Sequence, residues 1–268
     1  MKLHILLFLS AFSVTSVGRA QPDSLKNKYF DRKWTVGINI NTVEPITEAG
    51  YDLYFGQLRL FNDFGQQKSF LTSFGANLSY KVKEHFRIRF SAKLTKYKVE
   101  EVFNEKNYIS LSPPSNDYLI DSGYVKQSTF VLSPGIFWSL NIRKVNFYSG
   151  LQIVYRKYNP AYEHLIYRIY STQTDTLMSY KYYDIEQQGG YSIGVAPFIG
   201  FSANIYKGIS LGGEFSSAYS YYKTGGKFSR TETRLYPIKL IETSAYKHTY
   251  TAYKFSTVIT SINIYYNF

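Results

Sequence analysis

The 268-residue chain contains no cysteine and only four histidines. Without thiols it has neither disulfides nor a cysteine metal site. Beyond residues 3 to 17 it also lacks any long apolar run, and its mean hydropathy of -0.25 excludes a bundle of membrane-spanning helices. The net charge is +12, but no basic cluster lies in a recognisable nucleic-acid-binding motif, so we expect no nucleic-acid partner.

Aromatic residues are abundant instead, at 19% of the chain and including 28 tyrosines. Tyrosine favours strands and the boundary between an apolar and an aqueous phase. If the chain is exported, its basic charge would draw it to anionic lipids and lipopolysaccharide, which we would then expect as its partners.

The first twenty residues have the pattern of a secretory signal. Met1 and Lys2 precede an apolar core, and Gly18-Arg19-Ala20 closes it with small residues at the positions that signal peptidase reads. An uncleaved membrane anchor is the alternative, although serines and a threonine interrupt the core, which is shorter than the ~20 residues that a spanning helix needs. We expect cleavage near Ala20, a short periplasmic segment at 21–33 and one β domain at 34–268.

Apolar and polar residues alternate with period 2 along residues 34–268, which predicts strands with two different faces. The last strand, assigned to Tyr250–Phe268, shows it clearly: Ile262, Ile264, Tyr266 and Phe268 share one face, opposite Ser261, Asn263 and Asn267. Seven earlier strands are predicted at 34–41, 69–81, from 86, up to 140, from 145, from 191 and from 209.

Three short turns and four long connections join these strands. The turns lie near 82–85, 141–144 and 204–208, and the connections near 42–68, 99–126, 158–188 and 223–249. Outer-membrane β-barrels have short periplasmic turns and long external loops, so the pattern predicts a closed antiparallel up-and-down barrel of eight strands. Ten strands are possible if Tyr51–Phe61 adds to the sheet. Residues 162–171 and 176–185 are strand-like and predict an external hairpin, and Pro113–Asp117 marks a loop tip.

Aromatic residues fit two interfacial girdles on such a barrel. Seven lie near the short turns and seven toward the long connections: Tyr80, Phe86, Trp138, Phe147, Phe201, Tyr266 and Phe268, then Tyr155, Tyr158, Tyr219, Tyr221, Tyr222, Tyr250 and Tyr253. A soluble β-sandwich or calycin-type barrel would show the same periodicity with its apolar face as the core.

Candidates for chemistry are few. An eight-stranded barrel is filled by its own side chains, so inward Arg87, Arg89 and Lys93 need a counter-charge, for which Glu214 is available. His164 and His248 near the external rim are the candidate catalytic residues, with Ser171, Asp175, Asp184 and Glu242 as possible partners. Because no pair has diagnostic spacing, we predict no catalytic site, no metal site and no cofactor.

With these features the chain resembles small bacterial outer-membrane β-barrel proteins of the OmpA-like, OmpX-like and PorT-like type. The resemblance implies an outer-membrane location and folding by the barrel-assembly machinery. It is nearly silent on activity, because this scaffold hosts anchors, adhesins, enzymes and secretion components. We expect no cell-wall-binding domain after Phe268 and therefore no cell-wall tether.

The sequence therefore predicts a non-enzymatic, porin-like integral outer-membrane protein whose external loops serve surface interaction, adhesion or envelope integrity. A lipid-modifying enzyme at the extracellular rim, or an accessory component of a secretion system with an unknown partner, remains the alternative.

Overall fold

The computed structural model describes residues 32–41, 66–102, 107–108, 118–171, 176–256 and 258–268. Thirteen strands in these residues form one sheet in which every pairing is antiparallel. Among the same residues, no helix is long and apolar enough to cross a membrane. The strands are β1 Trp34–Asn41, β2 Gln66–Lys81, β3 Phe86–Val102, β4 Asn107–Tyr108, β5 Tyr118–Ile142, β6 Val145–Tyr158, β7 Ala161–Tyr170, β8 Leu177–Gln187, β9 Gly190–Tyr206, β10 Ile209–Ser216, β11 Tyr219–Tyr236, β12 Leu240–Phe255 and β13 Ile259–Asn267. The predicted signal at 1–20, Tyr51–Phe61 and Pro113–Asp117 lie outside the described residues.

Eight of these strands pair in a ring. The pairings lead from β1 through β2, β3, β5, β6, β9, β10 and β13 back to β1. Three short turns, at Val82–His85, Arg143–Lys144 and Lys207–Gly208, lie at one end of the ring, close to the predicted positions. Arg143 and Lys207 have positive φ angles of 53° and 37°, as tight hairpin turns require.

Each ring strand has an exposed apolar face and a buried polar one. On β1, Ile38 and Ile40 are each 61% exposed, while Asn39 and Asn41 are only 6% and 7% exposed. The same alternation runs along β2, β3, β5, β6, β9, β10 and β13. A soluble sandwich or calycin barrel would bury the apolar face instead, so the structure contradicts that alternative.

Four further strands extend the sheet at the end opposite the short turns, where the first part of β11, Tyr219–Thr224, still pairs with ring strand β9 and the short β4 pairs with β5. β7 pairs with the first part of β5, β8 with β7, β11 with β8, and β12 with β11. We call β7, β8, β11 and β12 the raised sheet. The β7–β8 pairing confirms the predicted hairpin, although its tip at 172–175 lies outside the described residues.

The sequence failed to predict the hairpin β11–β12, most of which it assigned to the connection at 223–249. Its upper parts, such as Ser229–Thr233, are rich in serine and threonine, so they lack the apolar alternation that marks the ring strands.

The predicted last strand, Tyr250–Phe268, was also wrong, because it is two strands. β12 ends at Phe255 and β13 begins at Ile259. At the break, Ser256 N–H donates to the Ala218 carbonyl (2.7 Å), and Ser256 Oγ accepts from Ala218 N–H (2.8 Å). The chain is interrupted at the same level between β10, which ends at Ser216, and β11, which begins at Tyr219.

Candidate functional site

The centre of the ring interior is an ion pair between Arg89 on β3 and Glu214 on β10. Arg89 Nη1 lies 2.5 Å from Glu214 Oε2, Nη2 lies 3.2 Å from Oε1, and both side chains are 7% exposed. Nη2 also donates to Gln152 Oε1 (2.7 Å), and the guanidinium lies 3.8 Å from the centre of the Phe198 ring. The counter-charge predicted for Arg89 is therefore present.

Aromatic side chains pack beside this pair. Phe137, Tyr148 and Phe198 form a buried cluster, with ring centres 5.6 to 6.3 Å apart. Across the interior, Oη of Tyr148 on β6 lies 2.9 Å from Oη of Tyr265 on β13. These aromatic residues and the ion pair together bridge the interior from several strands.

Glycines opposite the aromatic rings make this packing possible. Gly200 pairs with Tyr148 across the β6–β9 ladder, and a Cβ at Gly200 would lie 2.5 Å from the Tyr148 ring. At Gly150, a Cβ would lie 2.6 Å from Phe137 Cβ. The glycines therefore leave the space into which large inward side chains fold.

Two small polar cavities lie on either side of the ion pair. The cavity toward the short turns has a volume of about 30 Å³ and is lined by Arg87, Arg89 and Tyr265 among others. The second, toward the long connections, has about 50 Å³ and is lined by Lys93, Gln152 and Arg156 among others. Such volumes hold one to a few water molecules, so this interior is filled in the way that an eight-stranded ring requires.

The other predicted inward cations also lie inside the ring. Arg87 is 5% exposed; its Nη1 donates to Thr35 Oγ1 (3.1 Å) and its Nη2 to the Arg32 carbonyl (3.3 Å). Lys93 is half-buried beside the second cavity.

Several interior residues were missed at the sequence level. Tyr265 was not assigned to either face. Its parity is that of inward Asn263 and Asn267, so the alternation along β13 could have predicted that it faces inward.

Tyr158, Tyr222 and Tyr250 were placed in an outward girdle, which is wrong for all three. Tyr158 has the parity of buried Val154 and Arg156, and its Oη lies 3.4 Å from Oγ of buried Ser192. Tyr250 pairs with buried Thr224 and shares its face. Tyr222 is 1% exposed, packs near Tyr158 with ring centres 6.5 Å apart, and accepts a hydrogen bond from Arg156 Nη1 (3.3 Å). Its neighbours Tyr219 and Tyr221 alternate with it, and the parity of β11 decides which tyrosines face outward.

His164 meets one of its predicted partners. Its Nδ1 lies 2.6 Å from Asp184 Oδ1 across the β7–β8 ladder, with side-chain exposures of 26% and 57%. The imidazole stacks on Tyr124 with ring centres 5.5 Å apart. The pair therefore lies on the outward face of the raised sheet.

The remaining candidates do not converge on His164. Ser171 is seven positions further along the chain, roughly 20 Å away in extended structure. Glu242 pairs with Glu232, one position from the Thr231 that pairs with Asp184, and so faces the opposite side of the sheet. Asp175 and the side chain of His248 lie outside the described residues.

The His248 backbone can still be placed, since it pairs with Gly226. β12 is three ladders away from β7, and His248 is offset along the strands by five positions from Thr243, which lies level with His164. The two histidine backbones are therefore roughly 20 Å apart. Within the described chain, no group of three or more metal-binding side chains is found.

No protein-family model and no curated protein matches the chain. Among solved structures, it is similar to the outer membrane protein OprG from Pseudomonas aeruginosa, with a TM-score of 0.39, 10% identity and coverage of 88% of this chain and 96% of that one. It is also similar to a major outer membrane protein from Thermus thermophilus, with a TM-score of 0.34, 12% identity and coverage of 88% and 99%. Both TM-scores are below 0.5, so the function is inferred from this chain's own residues.

Proposed function

We propose that this protein is an integral outer-membrane β-barrel of eight strands with a filled interior, and that its raised sheet acts as an interaction surface outside the cell. The observation that carries this proposal is the apolar outer face of the ring. Exposed apolar side chains on every ring strand, around a buried polar interior, fit a lipid-facing surface and are costly in water.

The height of the apolar face supports this proposal. On β3, outward apolar residues run from Phe86 to Leu94, and on β5 from Phe130 to Trp138. At ~3.3 Å per residue and a tilt near 40°, each position adds about 2.5 Å of height, so each run spans roughly 20 Å. With the flanking aromatic residues, this approaches the ~25 Å apolar band of outer-membrane barrels.

The two ends of the ring support an orientation in the membrane. Short turns are periplasmic in outer-membrane barrels, and long connections are external. The raised sheet would then face the outside, and an interior filled by Arg89, Glu214 and aromatic rings favours a display protein over an open channel.

A lipid-modifying enzyme centred on His164 is less well supported. His164 pairs with Tyr124, fourteen positions along β5 from Trp138. His164 therefore lies roughly 35 Å above the aromatic residues near the short turns and about 10 Å beyond the apolar band, away from acyl chains.

Cysteine labelling tests the proposed function directly, because the natural chain has no cysteine. We expect Met178→Cys on the raised sheet to react with a membrane-impermeant maleimide on intact cells. Lys207→Cys, in a short turn, is exposed in the structure and should react only after lysis. Labelling of Lys207→Cys but not Met178→Cys on intact cells would show that the orientation is inverted, and recovery of both variants in the soluble fraction would disprove the membrane assignment.

A further inference from the structure

We propose that Lys98 and Lys126, on the outward face where the ring meets the raised sheet, bind a phosphate group of the glycolipid in the outer leaflet. This inference rests on the proposed function, because it requires an outer membrane around the ring. It adds the lipid group and the side chains that bind it.

The two lysines are directly opposite each other in the β3–β5 ladder. Side chains in such a pair share one face with their Cβ atoms about 5 Å apart, where like charges destabilise a sheet. Here both ammonium groups lie near the same tyrosine. Lys98 Nζ lies 5.3 Å and Lys126 Nζ 5.7 Å from the centre of the same ring, that of Tyr124.

A second ring completes the cluster. Lys126 Nζ also lies 5.2 Å from the centre of Tyr162, which pairs with Lys126 across the β5–β7 ladder. Two cations and two tyrosines therefore gather on one patch of the outward face. A phosphate bound by both ammonium groups would lower their mutual repulsion, and the Tyr124 phenol is a potential hydrogen-bond donor to it, whereas Tyr162 Oη donates to Glu186 Oε1 (3.4 Å).

The height of the patch selects the ligand. Lys98 is twelve positions from Phe86 on β3, and Lys126 is twelve positions from Trp138 on β5. Both therefore lie roughly 30 Å above the short-turn girdle, just beyond a ~25 Å apolar band. Phosphates of a membrane glycolipid lie at this boundary, whereas external polysaccharide and protein ligands would approach from further out.

Neighbouring strands continue the pattern. Exposed Lys157 on β6 and Lys223 on β11 both pair with Tyr191 of β9, one on each side. Tyr191 in turn stacks on Tyr155, with ring centres 6.4 Å apart. Lys157 is ten positions from Phe147, which gives a height of about 25 Å. A band of lysines interleaved with tyrosines thus follows the upper edge of the apolar face.

The test uses the full protein folded in zwitterionic micelles and titrated with lipid A carrying two phosphates, with complexes counted by native mass spectrometry. Each lysine near an anionic membrane surface contributes about 1 kcal/mol, so Lys98→Gln/Lys126→Gln should bind roughly 30-fold more weakly. The control Lys83→Gln/Lys144→Gln removes the same charge in two short turns and should bind like wild type. Lys98→Arg/Lys126→Arg should retain binding.

Two comparisons can overturn the site. Equal affinity of the two glutamine variants, or equal binding of lipid A and its phosphate-free form, would exclude a phosphate site at Lys98 and Lys126. Competition by millimolar inorganic phosphate would show that a free anion, rather than the lipid, is the ligand. Lys126→Gln alone, expected to bind about fivefold more weakly, serves if the double variant does not fold.

Heat-modifiable gel mobility distinguishes an error in the lysine site from an error in the proposed function. A wild-type protein that never gains the compact folded band in micelles would argue against a membrane barrel. A wild-type protein that folds but ignores the lipid's phosphates overturns only the lysine site.

Discussion

Replacing Glu214 with Gln should strongly destabilise the protein. The substitution keeps the shape of the side chain but removes its charge, which leaves the Arg89 guanidinium without its counter-ion at 7% exposure. Gln152 and Phe198 still contact Arg89, but neither carries a charge.

The magnitude follows from the geometry. Two opposite charges about 3 Å apart attract by roughly 5 kcal/mol at an effective dielectric constant of 20. Removing one partner of a buried pair typically costs about 3 to 5 kcal/mol, because the other charge stays buried. We therefore expect the free energy of unfolding to fall by about 3 to 5 kcal/mol.

Urea unfolding in phosphatidylcholine vesicles measures this loss. Trp34 and Trp138 are 41% and 45% exposed on the outward face, so their fluorescence reports the departure of the ring from lipid. The double variant Arg89→Met/Glu214→Gln removes both charges and should recover most of the lost stability. An unchanged unfolding curve for Glu214→Gln, or a double variant less stable than Glu214→Gln, would refute the view that the pair is buried and coupled.

Three further predictions test the faces and the filling of the ring. Ile264→Arg places a charge on the lipid face and should lower the free energy of unfolding by about 2 to 4 kcal/mol, whereas Asn263→Ser on the inward face should fold normally, as heat-modifiable gel mobility would show. Phe268→Lys, at the interface, should lower it by only about 0 to 1 kcal/mol, so a severe folding defect of this variant would indicate failed assembly. Gly200→Val should destabilise by about 1 to 3 kcal/mol by overlapping Tyr148, and adding Tyr148→Ala should relieve much of that loss in the same unfolding assay. The wild type should show no steps of conductance in planar bilayers, while Arg89→Ala/Glu214→Ala, which joins the two cavities, should conduct; an open wild-type channel would contradict the filled interior.

The sequence alone determined the all-antiparallel class, the positions of the short turns and the two faces of the ring strands. These are local properties, since period 2 assigns each side chain to a face and a tight turn needs only a few residues. For the same reason, alternation placed Arg89 and Glu214 inside together, although they are 125 positions apart.

Only the tertiary structure decided how distant strands pair. The raised sheet depends on β8 meeting β11 and on β12 adding to β11, and those ladders join polar segments with little apolar periodicity. The same pairings turned Tyr222 inward, separated the backbones of His164 and His248, and placed Lys98 opposite Lys126. Such contacts depend on the register between strands, and a single chain read residue by residue does not contain that information.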